Sequence, residues 1–265
     1  MSDQQLSESR VADFAAEIVD AMERDVKLAP VTARAVISTS DAAAIRRRVY
    51  QLLLASGARR LGYKVGFTSE AIQAMLGIDE PEFGFLADRH RVSGDTKLPV
   101  KTHCQTLIEP EVAFEMGSDL EGSDLSVAEV IEATSKVHAS FEIVESRVGL
   151  SADFKDVVAD NVGTGRIVLA SEGMAPRSVD FAAIKVKLEV DGTVYEARAN
   201  DVLGHPARAV SWLAGRLEAL GELGGHIRKG DLIMTGSSVK PVPIGHGSTV
   251  SAEFSGLGSL RIEFA

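Results

Sequence analysis

The chain has 265 residues, 45% hydrophobic and 25% charged, the composition of an ordinary soluble globular protein with one large domain or one domain and an appended segment. A formal net charge of -10 argues against a nucleic-acid binder, which carries a basic footprint, but leaves room for an anionic small molecule if a bound cation reverses the local field. The single Cys104 excludes an internal disulfide, residues 1–5 lack the basic start and apolar run of a signal peptide, and no apolar run approaches the ~20 residues of a membrane span, so a cytoplasmic protein is expected.

Residues 6 to 27 carry Val11, Phe14, Ala15, Ile18, Val19 and Met22 at helical spacing, with Pro30 closing the segment. A second helix is expected after Ser40, with Ile45, Val49, Leu52 and Leu53 on one face and Gly57 as its stop. Its run Arg46-Arg47-Arg48 reads first as a solvated or intersubunit face. From Leu61 the texture changes to a strand through Phe67, a short helix from Ser69 to Leu76, a loop containing Glu80-Pro81-Glu82-Phe83-Gly84, and an irregular segment over 88–105. A strand over 107–116 precedes a helix opened by the capping box Ser126-Val127-Ala128-Glu129, and Glu142 falls on the strand after it. The second half is mostly β, with a hairpin turn at Asp191-Gly192, a helix from Pro206 to Leu220, and closing strands at 231–235, 249–254 and 259–264. Together these predict an α+β protein in which a helical N-terminal segment (1–58) lies against a β-rich body (59–265), the two forming one structural unit.

The stretch Ile108-Glu109-Pro110-Glu111-Val112 holds two carboxylates two residues apart, which a strand places on one face. A solvated strand face would look the same. Glu142, however, sits in the apolar run 139–144, where an unpaired carboxylate is costly to bury. Three carboxylates from two strands suit a hard cation such as Mg²⁺ or Mn²⁺. Pro110 removes a ladder donor and so implies a sheet edge or a bulge.

Lys64 lies mid-strand between Gly62 and Gly66, a place from which a partly desolvated lysine moves protons, although a snorkelling lysine at a strand end fits equally well. Glu82, between Pro81 and Phe83, has the apolar neighbours that raise an acid's pKa. The turn 160–165 and the strand end 234–238 offer backbone N–H groups and hydroxyls to an anion. The six histidines make no i, i+4 pair and no HExxH, and neither GxSxG nor GxGxxG is present, so zinc, serine-hydrolase and dinucleotide readings find little support.

Taken together and in order, 62–69, 77–84, 108–114, 141–147, 158–161, 203–206, 234–236 and 256–259 resemble the 2-keto-4-pentenoate hydratase group of the fumarylacetoacetate hydrolase superfamily, which also contains the 4-oxalocrotonate decarboxylases. That resemblance implies a mixed β-sheet roll, Glu109, Glu111 and Glu142 as ligands for Mg²⁺ or Mn²⁺, Lys64 as the proton-transfer lysine and Glu82 in the acid position, where the hydratases carry Asp. Substrate contacts are expected at Asn161, Gly163, Thr235 and Gly236, with Gly163 standing where the family commonly carries Ser. The implied activity is hydration of a 2-hydroxy-2,4-dienoate, or its 2-oxo tautomer, to a 4-hydroxy-2-oxo acid in aromatic catabolism. Decarboxylation of a 2-oxo-3-enedioate and a non-catalytic 2-oxo-acid-binding subunit are the alternatives. Partners implied are the small-molecule acid, further copies of the chain as a homo-oligomer and a pathway enzyme, with neither nucleic acid nor membrane.

Overall fold

The computed structural model describes residues 5–94, 97–149, 151–221 and 225–265. Two helices open it, α1 (Glu8–Arg24) and α2 (Thr39–Ala55). Ser7 caps the first, and a Ser38/Asp41 capping box starts the second, satisfying N–H groups that a helix start leaves without partners. Asp41 also accepts from the Leu6 amide at 2.9 Å, tying the start of one helix to the start of the other. Phe14, Ala15 and Ile18 then pack against Ile45, Val49 and Leu53 as one apolar cluster.

The remaining elements are β1 (Arg60–Gly66), α3 (Glu70–Leu76), β2 (Glu82–Ala87), β3 (Gln105–Met116), α4 (Val127–Ala133), β4 (Thr134–Ser146), α5 (Phe154–Ala159), β5 (Arg166–Leu169), β6 (Lys185–Val190), β7 (Thr193–Arg198), α6 (Ala207–Leu220), β8 (Leu232–Ser237), β9 (Val242–Pro243), β10 (Thr249–Phe254) and β11 (Gly258–Glu263). Strands β2-β1-β8-β3-β4-β5 form one sheet, with β9 alongside β3, and β11-β10-β6-β7 form a second. The β1–β8 pair is parallel and its neighbours are antiparallel, so the large sheet is mixed.

Period-two alternation gives the large sheet two distinct faces. Outward, Tyr63, Val65, Phe83, Phe85, Ile108, Val112, Phe114, Phe141 and Ile143 join the main core with the inner faces of β6, β10 and α6. Inward, Leu86, Ala113, Ile167, Leu232 and Met234 make a small apolar floor. β1 and β4 are three strand spacings apart, roughly 14 Å along a flat sheet. Side chains standing upright on a flat sheet would not meet across that span. Yet Lys64 of β1 reaches Glu142 of β4 at 2.6 Å, so the sheet is curled into a roll.

Pro110 does not lie on an edge strand, because β3 runs between β4 and β8. It sits where the second side of β3 passes from β9, paired at Leu107 and Ile108, to β8, paired from Glu111, beside a register shift between Glu111 and Ala113. A proline fits a central strand at such a break in the ladder. The loop expected around Glu82 is corrected: Glu82 opens β2, with Gly66↔Glu82 and Lys64↔Gly84 paired across to β1. Helix α5, capped by Asp153, is too short for its hydrophobic spacing to predict it.

Candidate active site

The register of β3 on β4 sets Glu109 directly opposite Glu142 and Glu111 opposite Ser140. All three glutamates therefore project from the inner face, and one oxygen from each lies within 4.8 Å of the others. Glu111 and Glu142 are buried, whereas Glu109 keeps some exposure. Burial, with the Glu142 charge added, pushes Glu109 up to about 8 against the opposing pull of Lys64. Burial together with Glu142 and Glu109 also lifts Glu111 well above the ordinary carboxylate range. Glu111 Oε2 accepts from the Gly236 amide at 2.9 Å, while its Oε1 is buried without a partner among the described residues. A buried carboxylate oxygen without a partner, on a side chain clustered with two other carboxylates, is what a cation would satisfy.

Lys64 is the positive member, with Nζ 2.6 Å from Glu142 Oε1 and the side chain 3% exposed. Burial alone would lower its pKa, but Glu142, Glu109 and Glu111 outweigh that and raise it, so the amine is held as an ammonium. Its stem needs room. A Cβ on Gly84, the residue across from it, would lie 3.2 Å from Lys64 Cγ and 2.8 Å from both Asn161 O and Thr164 Oγ1. Gly62 is equally constrained, since at φ +147° a Cβ there would lie 2.0 Å from Leu232 O.

Glu82 is buried at the start of β2, and its carboxylate meets a guanidinium rather than the apolar surroundings its sequence neighbours suggested. Arg46 Nη1 donates to Glu82 Oε1 at 2.7 Å and to Phe83 O at 2.5 Å, and the Phe83 amide also donates to Oε1. Arg46 itself corrects the solvated-face reading of the arginine run, for it is 1% exposed and its guanidinium lies 4.0 Å above the Phe83 ring.

The turn after α5 closes the roll. Asn161 donates through Nδ2 to Phe85 O at 2.9 Å and accepts through Oδ1 from Phe85 N at 2.8 Å, pairing the outer edge of β2 as a strand would. The N–H groups of Gly163 and Thr164 are directed to Asp160 O and Asn161 O. Behind the turn, buried Arg147 grips Asp160 through Nε at 2.5 Å and reaches the carbonyls of Asp160 and Thr164. Thr235 Oγ1 donates to Val112 O at 2.8 Å, so Thr235 and Gly236 are tied to β3 and Asn161 to β2, while Gly163 bonds within its own turn.

Within the roll the three carboxylates of Glu109, Glu111 and Glu142, when ionised, face one cation, Lys64, while Glu82 and Arg46 form a separate neutral pair at the start of β2. The surplus of two negative charges matches one divalent ion, and an all-oxygen donor set suits Mg²⁺ or Mn²⁺ better than zinc. A groove of about 1040 Å³ lies elsewhere, against the polar face of the small sheet at Lys187, Glu189, Glu253 and Arg261. Among the described residues, the glutamate trio is where metal-ligating groups converge, so the chemistry is assigned to the roll.

Residues 67–265 match the family described as Fumarylacetoacetate (FAA) hydrolase C-terminal. The chain is 33% identical over 269 residues to a 2-hydroxyhexa-2,4-dienoate hydratase of Comamonas testosteroni, covering 100% of this chain and 99% of that protein. It is 32% identical to a 2-keto-4-pentenoate hydratase of Paraburkholderia phymatum, covering 97% and 98%. Among solved structures, 4-oxalocrotonate decarboxylase from Pseudomonas putida G7, complexed with magnesium and adipate, superposes with a TM-score of 0.92 at 29% identity over 98% of this chain and 99% of that one.

Proposed function

The chain belongs to the fumarylacetoacetate hydrolase C-terminal family, and from that premise we propose that it is a divalent-metal-dependent hydro-lyase converting a 2-hydroxy-2,4-dienoate to a 4-hydroxy-2-oxo acid. The observation that carries this reading is the Lys64–Glu142 ion pair inside a trio of glutamates. Glu109, Glu111 and Glu142 would hold Mg²⁺ or Mn²⁺, which when bound supplies the positive charge that retains the substrate's carboxylate and 2-oxygen and draws electron density toward that oxygen.

Lys64, held as an ammonium, donates a proton from Nζ to the terminal carbon C5 of the dienol. The 2-hydroxyl proton is released as the ketone forms, and the product of this step is a 2-oxo-3-enoate. Its conjugated carbonyl makes C4 electrophilic. Glu82 accepts a proton from water as that water adds at C4, and C3 takes up a proton to complete the hydration. The buried floor of Leu86, Ala113, Ile167, Leu232 and Met234 keeps bulk water from beneath the reacting chain. The single thiol and the two full-length bacterial relatives fit a cytoplasmic enzyme of aromatic catabolism.

Incubation with 2-hydroxypenta-2,4-dienoate and Mg²⁺ should bleach the dienol absorbance and yield 4-hydroxy-2-oxopentanoate by NMR. Decay at the buffer rate alone would remove this reading. The similarity to 4-oxalocrotonate decarboxylase favours a second one, in which the same groups stabilise a dienolate as CO₂ leaves a dicarboxylate. Hydration is preferred because Lys64 and Arg46 are each already paired to a carboxylate, which leaves the far carboxylate of a dicarboxylate without a cation from either of them. CO₂ release measured against water incorporation separates the two.

A further inference from the structure

We propose that Arg46, contributed by the N-terminal helical segment, is the positioning residue that sets the Glu82 carboxylate for reaction. The inference rests on the hydratase reading of Glu82. It also makes the N-terminal helical segment, like Lys64 outside the matched residues 67–265, a working part of the site.

The geometry of α2 on β2 carries the argument. One helical turn advances about 5.4 Å and two strand residues about 6.8 Å, close enough for i, i+4 side chains to follow i, i+2 side chains on a strand. Arg46 lies over Phe83, its guanidinium 4.0 Å from the ring centre. Tyr50, four residues on, stacks on Phe85 at 4.5 Å with the planes 8° apart. Two consecutive contacts fix the helix in register with the strand. The capping box at Ser38 and Asp41 then fixes where the helix begins.

With the register set, Arg46 Nη1 bridges Glu82 Oε1 and Phe83 O, so that guanidinium, carboxylate and strand backbone form one unit. Both hydrogen bonds that Glu82 accepts among the described residues, from Arg46 and from the Phe83 amide, fall on Oε1. That arrangement sets the carboxylate plane and leaves Oε2 as the oxygen to receive a proton from water. A planar guanidinium stacked on a ring does this, whereas a lysine ammonium supplies charge without the fork or the stacking. The sequence neighbours Arg47 and Arg48 do not share the buried position, being intermediate and exposed.

The test is a double-mutant cycle on the full-length enzyme, read as kcat and KM for 2-hydroxypenta-2,4-dienoate and as a pH–kcat profile, with urea unfolding in parallel. E82Q should lower kcat about 10²- to 10⁴-fold with little change in KM. R46Q should lower kcat about 10- to 100-fold at a nearly unchanged KM and change the shape of the pH–kcat profile, because the carboxylate loses the hydrogen bond that sets its plane. The R46Q/E82Q double variant should be no slower than E82Q alone. R46K covers the case in which R46Q does not fold: it keeps a charge over Phe83 but should still lose kcat at a nearly unchanged unfolding midpoint. Wild-type kcat and pH profile in R46K or R46Q, beside a crippled E82Q, would overturn the inference and leave the hydratase reading standing. Fully active E82Q would instead remove Glu82 from the mechanism, and the inference with it. Additive losses in the double variant would show that Arg46 acts independently of Glu82, which also overturns the inference.

Discussion

Lys64 Nζ lies 2.6 Å from Glu142 Oε1, so the ammonium and a divalent cation compete for the same carboxylate. Replacing Lys64 by Met should therefore separate two properties. Turnover should fall about 10²- to 10⁴-fold with loss of the proton donor. Mg²⁺ should meanwhile raise the melting temperature more than in the wild type, because three carboxylates remain with no internal cation. Thermal shifts at matched Mg²⁺ concentrations, with turnover on the same samples, check both. An equal or smaller shift in K64M would mean that the ammonium and the metal site are not in opposition.

Removing metal should expose a pH dependence that loading hides. Burial, reinforced by Glu142, raises Glu109 to about 8 from its ordinary 4.5, and Glu111 moves the same way. A carboxyl whose folded pKa is raised binds its proton more tightly folded than unfolded. Its contribution is complete below about pH 4.5 and disappears as pH rises through about 8. In EDTA the urea midpoint should fall across that window by the equivalent of a few kcal/mol. With saturating Mg²⁺ the fall should largely vanish, since the ion stabilises the ionised carboxylates. A flat EDTA profile would count against a buried like-charge trio.

His90 should give the opposite slope. It is buried, and burial followed by the charges of Arg147 and Arg89 lowers its pKa to about 4. Its Nδ1 accepts from the Ala87 amide at 3.0 Å, a bond that the neutral ring makes. A histidine with a depressed folded pKa contributes stability that is complete above about pH 6.5 and is lost as pH falls toward 4. Between about pH 7 and pH 4.5 the wild type should lose about 2–3 kcal/mol relative to H90Q, whose amide oxygen can accept from Ala87 without titrating. Parallel urea curves for the two proteins across that range would show that His90 is not held neutral.

The sequence made the metal trio legible because strand alternation turns an i, i+2 spacing into a shared face, and Glu109, Glu111 and Glu142 do share one. Lys64 stood out through its flanking glycines, and the structure places it in the same pocket. Arg46 was hidden by its neighbours. Three arginines in a row suggest solvent, yet the buried stripe of α2 runs through Ala42, Ile45, Arg46, Val49, Tyr50 and Leu53 rather than turning toward Leu52. An aromatic at i+4 from Arg46 was the available signal. Pro81 and Gly84 dominate local propensity and point Glu82 to a loop, whereas the alternation of Phe83 and Phe85 points to the strand that forms. The curl that brings β1 to β4 has no local signature, since it depends on contacts such as Asn161 with Phe85 between residues 76 positions apart.

That last contact supports a prediction about the turn that closes the roll. Asn161 both donates to and accepts from the Phe85 backbone, and it is followed by Val162 at φ 54°, ψ 35°, a left-handed conformation costing a β-branched residue about 1–2 kcal/mol. The clasp holds that strain in place. N161A leaves a buried N–H and a buried carbonyl unpartnered, so it should destabilise the protein by about 2–4 kcal/mol. N161D should be worse. It keeps an acceptor for Phe85 N but sets a second acceptor, charged and buried, against Phe85 O. Loss of the clasp also frees Thr164, whose Oγ1 lies beside Gly84, and with it the wall that confines the Lys64 stem. Turnover should therefore fall in both variants, and amide exchange at Phe85 should quicken while exchange at the β3–β4 pairs stays slow. If both variants unfold at the wild-type midpoint with Phe85 still protected, the roll is closed by its hydrophobic packing and not by this amide.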